Sequence, residues 1–198
     1  MSQYLKDLHV AFNNVHKNYL NDDVIHSLRK NGVSTQKIER VFHAELYHQW
    51  RKIMDDDIAK TDGSEKIYSD YVLHSQIGKN LGGNVKFPDL VLHGGQIGQY
   101  RNTKNEIFAE IKIEDFDSSD FLKIIQALLI PEFKYNYGVY ILSLSDFGNI
   151  KKCVNGIVQD KTRYPHIHRI LQDKKQLFER FFFITYADGL FDIQKCFK

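Results

Sequence analysis

The stretch NVKFPDLVLHGGQIGQYRNTKNEIFAEIKIE, residues 84–114, decides how the rest of the chain is arranged. It reads as two apolar, β-prone runs joined by a polar connection rich in glycine, which is the pattern of two neighbouring strands. Charged residues sit inside those runs: Asp89 early in the first, Glu110 and Lys112 within the second. Side chains alternate faces along a strand. Ile107, Ala109, Ile111 and Ile113 therefore share one face, and Glu106, Phe108, Glu110, Lys112 and Glu114 the other. In the first run Asp89 groups with Val91 and His93, opposite Leu90 and Leu92. With the appropriate register, Asp89 and Glu110 converge beside Lys112.

Working outward, the upstream sequence is helical. Leu5, Leu8, Phe12, Val15 and Tyr19 recur at helical spacing over residues 4–19, and the acidic run at Asp22 and Asp23 opens a short second helix that Gly32 ends. The segment STQKIERVFHAELYHQWRKIM, residues 34–54, carries Ile38, Val41, Phe42, Leu46, Trp50 and Ile53 behind an N-cap at Ser34 or Thr35. A polar connector follows over residues 55–66, with Asp55 to Asp57 expected to be solvated, then a strand over 68–77 and a turn over 78–84. Downstream of Glu114 the pattern gives a serine-capped helix broken by Pro131, a buried strand in YGVYILSLS, helices over 146–158 and 166–180, and a last strand in RFFFITYA. This order predicts an α/β fold: a mixed central sheet flanked by helices, with a helical N-terminal extension (1–33), a core (34–145) and C-terminal helices with a last strand (146–198).

The chain has 198 residues, 42% hydrophobic and 13% aromatic, enough for one substantial core and a single domain, with no internal repeat. A formal charge of +2 does not advertise a polyanion-binding surface, although it leaves room for a local basic groove. Cys153 and Cys196 stand far apart without companion ligands and are expected to be free thiols. No leader pattern or bilayer-length apolar run is present, so the expectation is a soluble, cytoplasmic protein without a membrane partner.

Two carboxylates brought together repel unless a proton or a cation intervenes. Oxygen ligation from Asp89, Glu110, the Ile111 carbonyl between Glu110 and Lys112, and water suits Mg²⁺, with Mn²⁺ as substitute. Lys112 then orients or deprotonates an attacking water, or neutralises charge developing on a phosphate. The constellation reads as metal-assisted phosphodiester hydrolysis. An antiparallel strand with one wet face shows the same alternation, and Glu110 and Lys112 would then be solvated charges. Glu45 adds a further carboxylate, on the stripe of the 34–54 helix that contains Ile38, Val41, Phe42 and Gln49 and so directed to the core side.

FPDLVL followed by AEIKI, after a helix carrying Glu45, resembles the PD-(D/E)XK nuclease superfamily, the restriction-endonuclease-like fold. The resemblance covers about residues 34–144. Asp89 matches the aspartate of the first element, Glu110 and Lys112 the acidic residue and lysine of the second, and Glu45 the first-helix glutamate. It implies Mg²⁺-dependent cleavage of nucleic acid, DNA before RNA, in many members by a homodimer, for which the apolar N-terminal helix offers an interface. Arg101 and Lys104 in the connection, and Lys123 and Gln126 on one face of the following helix, are candidate substrate contacts. Two other readings compete. Residues 22–50 have the spacing of a helix-turn-helix reader, although Phe42, Leu46 and Trp50 demand burial in its second helix. The fold could also be retained without catalysis, as a nucleic-acid-binding or interaction protein.

Overall fold

A computed structural model describes residues 1–19, 22–76, 79–81, 84–86, 88–95, 104–130, 135–165 and 177–197. Five helices, α1 (Gln3–Asn13), α2 (Asp22–Lys30), α3 (Thr35–Ile58), α4 (Ser118–Leu129) and α5 (Phe147–Gln159), surround an open mixed sheet. Its strands are β1 (Tyr71–Ser75), β4 (Leu90–Gly94), β5 (Asn105–Lys112), β6 (Tyr137–Leu142), β7 (Phe181–Thr185) and β8 (Gly189–Asp192), hydrogen-bonded in that order. β2 (Lys79–Leu81) and β3 (Asn84–Lys86) form a separate hairpin between β1 and β4 in sequence. β1, β4 and β5 are an antiparallel meander, β5, β6 and β7 run parallel, and β8 returns antiparallel.

The period-two alternation of β5 sorts its side chains into two cores. Ile107, Ala109, Ile111 and Ile113 pack under α1 and α3 with Leu90, Leu92, Val139 and Ile141. Phe108 packs on the opposite face with Val91, Tyr140 and the α4 residues Phe121, Ile124 and Leu128. Neither face of β5 is wet: only its last residue, Lys112, is more than marginally accessible. The charges of this strand therefore sit between two layers of helices, where an ionised group is costly unless paired.

Several elements differ from the expectation. α1 stops at Asn13, followed by a 3₁₀ turn at Lys17–Tyr19. Its apolar face, Leu5, Leu8, Ala11 and Phe12, packs against α3 and is fully inaccessible, while Val10 remains exposed on the other side of the helix. α3 runs through the acidic triplet to Ile58, because Asp57 is an internal anchor: its carboxylate accepts the Tyr68 N–H (2.8 Å) and the Lys60 ammonium (2.5 Å). Phe42, Leu46 and Trp50 are fully buried, which makes α3 a core helix and not a reading head. α4 is capped by the Asp117 side chain, not by a serine, and ends one residue before Ile130, whose extended ψ of 117° is what the following Pro131 imposes. β8 was not anticipated; Gly189 supplies the left-handed φ of 71° that turns the chain after Asp188. The helix expected over 166–180 falls largely outside the described residues.

Gly138 fixes how closely α4 approaches the sheet. A Cβ there would collide with Ile124 Cγ2 and lie 3.0 Å from Leu128 Cδ1. Overpacking of this kind costs roughly 1–3 kcal/mol. Gly138→Ala is expected to lower the unfolding free energy by that much, read as a lower urea midpoint with an unchanged slope of the transition, and an unshifted midpoint would show that α4 is not seated by this contact.

Candidate functional site

The antiparallel register pairs Leu90 with Ala109, so one step further Asp89 lies beside Glu110 on neighbouring strands. Asp89 is held by two hydrogen bonds and faces a histidine. Its Oδ2 accepts the Ile111 N–H at 2.8 Å. Its carbonyl accepts the N–H of Gln76 at 3.2 Å, a residue held at a left-handed φ of 52° at the end of β1. Its Oδ1 faces the imidazole Nδ1 of His43, on α3, at 3.6 Å. Because N–H and C=O of one strand residue point the same way in an antiparallel ladder, the Ile111 carbonyl is directed to the side on which Asp89 lies.

Glu110 is 1% exposed. Its Oε2 receives the Lys123 ammonium at 3.1 Å, while Oε1 is buried with no hydrogen-bond partner among the described residues. Burial, with the charges of Asp89 and Asp120 adding to it, pushes its carboxyl up to about 9 against the opposing pull of Lys123. Burial also raises Asp89 above the ordinary carboxylate range, with His43 and the Ile111 N–H opposing.

The opposite wall comes from α4. The Asp117 carboxylate caps the helix by accepting the Ser119 N–H at 2.7 Å, and the Tyr140 hydroxyl holds the same turn by accepting the Asp117 N–H at 2.8 Å. One turn in, the buried carboxylate of Asp120 receives Lys112 at Oδ2 (3.1 Å) and Lys123 at Oδ1. Acids and bases thus alternate as Glu110, Lys123, Asp120, Lys112. Burial by itself would lower Lys112, but Asp120, then Glu39 and Asp89, outweigh it and hold the ammonium above its ordinary value.

Asp89, Glu110, Lys112 and Lys123 are therefore brought together, and three of the expected residues are not. Glu45 accepts a hydrogen bond from Gln49 at 2.7 Å. It lies two residues, or about 200° of helical rotation, beyond His43, so α3 presents His43 and Glu39 to the site and turns Glu45 away. Lys104 pairs with Asp70 at 2.7 Å at the start of β5, six residues and about 20 Å of strand from Glu110. Gln126 is exposed, one turn beyond Lys123, and makes no hydrogen bond to the site residues among those described. Arg101 lies outside the described residues.

Asp120 and His43 escaped the sequence reading. The DSSD run at 117–120 reads as capping alone, although Asp120 and Lys123 have the i, i+3 spacing of a helical ion pair. His43 adjoins Phe42 on the buried stripe, and Glu39 with His43 is an i, i+4 polar pair on its flank.

Among the described residues no three or more His, Cys, Asp or Glu side chains gather at metal-binding spacing. Asp89 and Glu110 fit a hard divalent cation as a pair of carboxylates that leaves its remaining positions to main-chain and water oxygens, and the orphaned Glu110 Oε1 is a buried acceptor suited to it. Compared with family models, curated proteins and solved structures, the chain matches none.

Proposed function

We propose that this chain is a Mg²⁺-dependent nuclease hydrolysing phosphodiester bonds, in DNA before RNA. The observation that carries the reading is the buried Glu110 carboxylate, with one oxygen unpartnered, beside Asp89 and two lysines. The progression from α3 through the antiparallel β1, β4 and β5 to α4 and the parallel β6 supports a restriction-endonuclease-like core over residues 34–145. The thiols of Cys153 and Cys196 are free, which agrees with a reducing compartment.

Asp89, Glu110 and the Ile111 carbonyl would hold Mg²⁺ or Mn²⁺, which supplies a Lewis acid for the phosphate and a more acidic water. Lys112, 26% exposed, reaches the solvent side. Held by Asp120, it is placed to orient the attacking water and to neutralise charge on the phosphate. His43 restrains Asp89 from the α3 side. One observation favours a non-catalytic alternative: Asp120 and Lys123 already neutralise much of the site, as they would in a retained fold that binds without cutting. Titration of Mn²⁺ into the protein, with nicking of supercoiled plasmid in Mg²⁺, separates the two. Uptake of Mn²⁺ with cleavage supports the nuclease, and neither leaves a binding protein.

With Arg101 outside the description and Lys104 remote, Lys112 and Lys123 are the cations at the site. DNA affinity is expected to fall as salt rises, by about 0.9 in log K per log unit of salt for each phosphate contacted. Filter binding over a salt series checks this, and salt-independent binding would remove the phosphate-contact role.

A further inference from the structure

Lys123 has no counterpart in the motif that brought Asp89, Glu110 and Lys112 to attention, yet it makes the closest cationic contacts of the site. Of its three donors, one goes to Glu110 Oε2 and one to Asp120 Oδ1. It stands where a cation on Glu110 would otherwise neutralise that carboxylate. The ammonium ends a flexible four-carbon stem on a helix position that is 21% accessible at the rim of the site, so it can turn to solvent without moving α4. Asp120 is 4% exposed and serves both lysines at once, keeping two like charges side by side. A phosphate within reach of Lys112 is thus within reach of Lys123.

We propose, resting on the nuclease reading, that Lys123 is a second phosphate-binding lysine that occupies the place of the site's cation. It donates to Glu110 Oε2 in the metal-free protein and turns to a substrate phosphate oxygen once a divalent ion engages that carboxyl group, with Asp120 as the positioning residue about which it pivots. Two consequences have opposite signs. Removing the ammonium relieves like-charge repulsion with an incoming cation and so tightens metal binding. The same change removes a phosphate contact and so weakens nucleic-acid binding.

Both are measured on the full chain without turnover, by calorimetric titration with Mn²⁺ and by anisotropy of a short fluorescent DNA duplex with Ca²⁺ in place of Mg²⁺. Lys123→Met, which keeps the apolar stem, is expected to bind Mn²⁺ about tenfold tighter and the duplex about tenfold more weakly. Lys123→Arg is expected to restore duplex binding. Asp120→Asn is expected to weaken Mn²⁺ binding, and combining it with Lys123→Met to recover most of the loss, which a merely structural role for Asp120 would not do. Unchanged or weaker Mn²⁺ binding by Lys123→Met, in a protein whose Mn²⁺ uptake is abolished by Asp89→Ala, overturns the inference and leaves the nuclease standing. Duplex binding by Lys123→Met at wild-type strength overturns the phosphate role. A wild-type protein that takes up no Mn²⁺ overturns both.

Discussion

Replacing Glu110 by glutamine is expected to stabilise the metal-free protein at pH 8, by about 2–3 kcal/mol, or about 5–10 °C in Tm, while leaving it nearly unchanged at pH 5. In the folded chain the carboxyl holds its proton up to about 9, against 4.5 as its ordinary value. Between those limits the native state binds more protons than the unfolded chain, so stability falls as pH rises, by up to about 1.4 kcal/mol per pH unit. Glutamine keeps the shape and an acceptor for Lys123 but has no proton to lose. The figure is set well below the full linkage value because the buried amide of glutamine carries a desolvation cost of its own. The opposing possibility is that Glu110 is ionised and simply paired with Lys123, whose own titration is shifted upward by that contact. Burial weighs against it: Glu110 is 1% exposed, and desolvation, with Asp89 and Asp120 adding to it, outweighs the pull of Lys123. Thermal melts across the pH range distinguish the cases. A variant that loses stability equally at pH 5 and pH 8 would show Glu110 to be a fixed ion-pair partner.

The pairing of Asp89 with Glu110 was legible because strand alternation is rigid: once Ile107, Ala109 and Ile111 claim one core, Glu110 has no choice of face. That its face is also buried was not legible from β5 itself, since it depends on α4 lying across β6, and on Gly138 letting it approach. The helical contribution was misread by a fraction of a turn. The buried stripe of α3 runs through Ile38, Phe42, Leu46, Trp50 and Met54 and drifts around the axis. His43 lies on its inner flank and Glu45 on its outer edge, so a stripe drawn through Val41 and Gln49 passes over His43. Val41 is in fact 44% exposed. Lys104 was misplaced for a different reason. Nearness in sequence to the motif says nothing about which end of a strand a residue occupies, and Lys104 enters β5 at the end remote from Lys112.

Alanine substitutions along the site are expected to divide by charge sign, with the largest effect on activity of any change considered. Asp89→Ala and Glu110→Ala each remove one of the two carboxylates assigned to the divalent ion, so Mn²⁺ binding and plasmid cleavage should be lost together. Lys112→Ala should separate the two measurements. Its ammonium lies beside the acids without being able to ligate, and removing it relieves repulsion with an incoming cation, so Mn²⁺ affinity should be equal or tighter. Cleavage should nevertheless fall by about 10²–10⁴, the range for a positioned group acting on the transition state. Glu45→Ala, turned away and bonded to Gln49, should cut at close to the wild-type rate. His43→Ala should fall between the extremes, because Asp89 keeps its bond to the Ile111 N–H when the imidazole is lost. Calorimetry with Mn²⁺ beside a nicking assay in Mg²⁺ reads both quantities on the same preparations. Cleavage by Lys112→Ala at the wild-type rate, or undiminished Mn²⁺ binding by Asp89→Ala, would reduce the row of acids and lysines to a buried structural network, and the unpartnered oxygen of Glu110 to the place where it holds its proton.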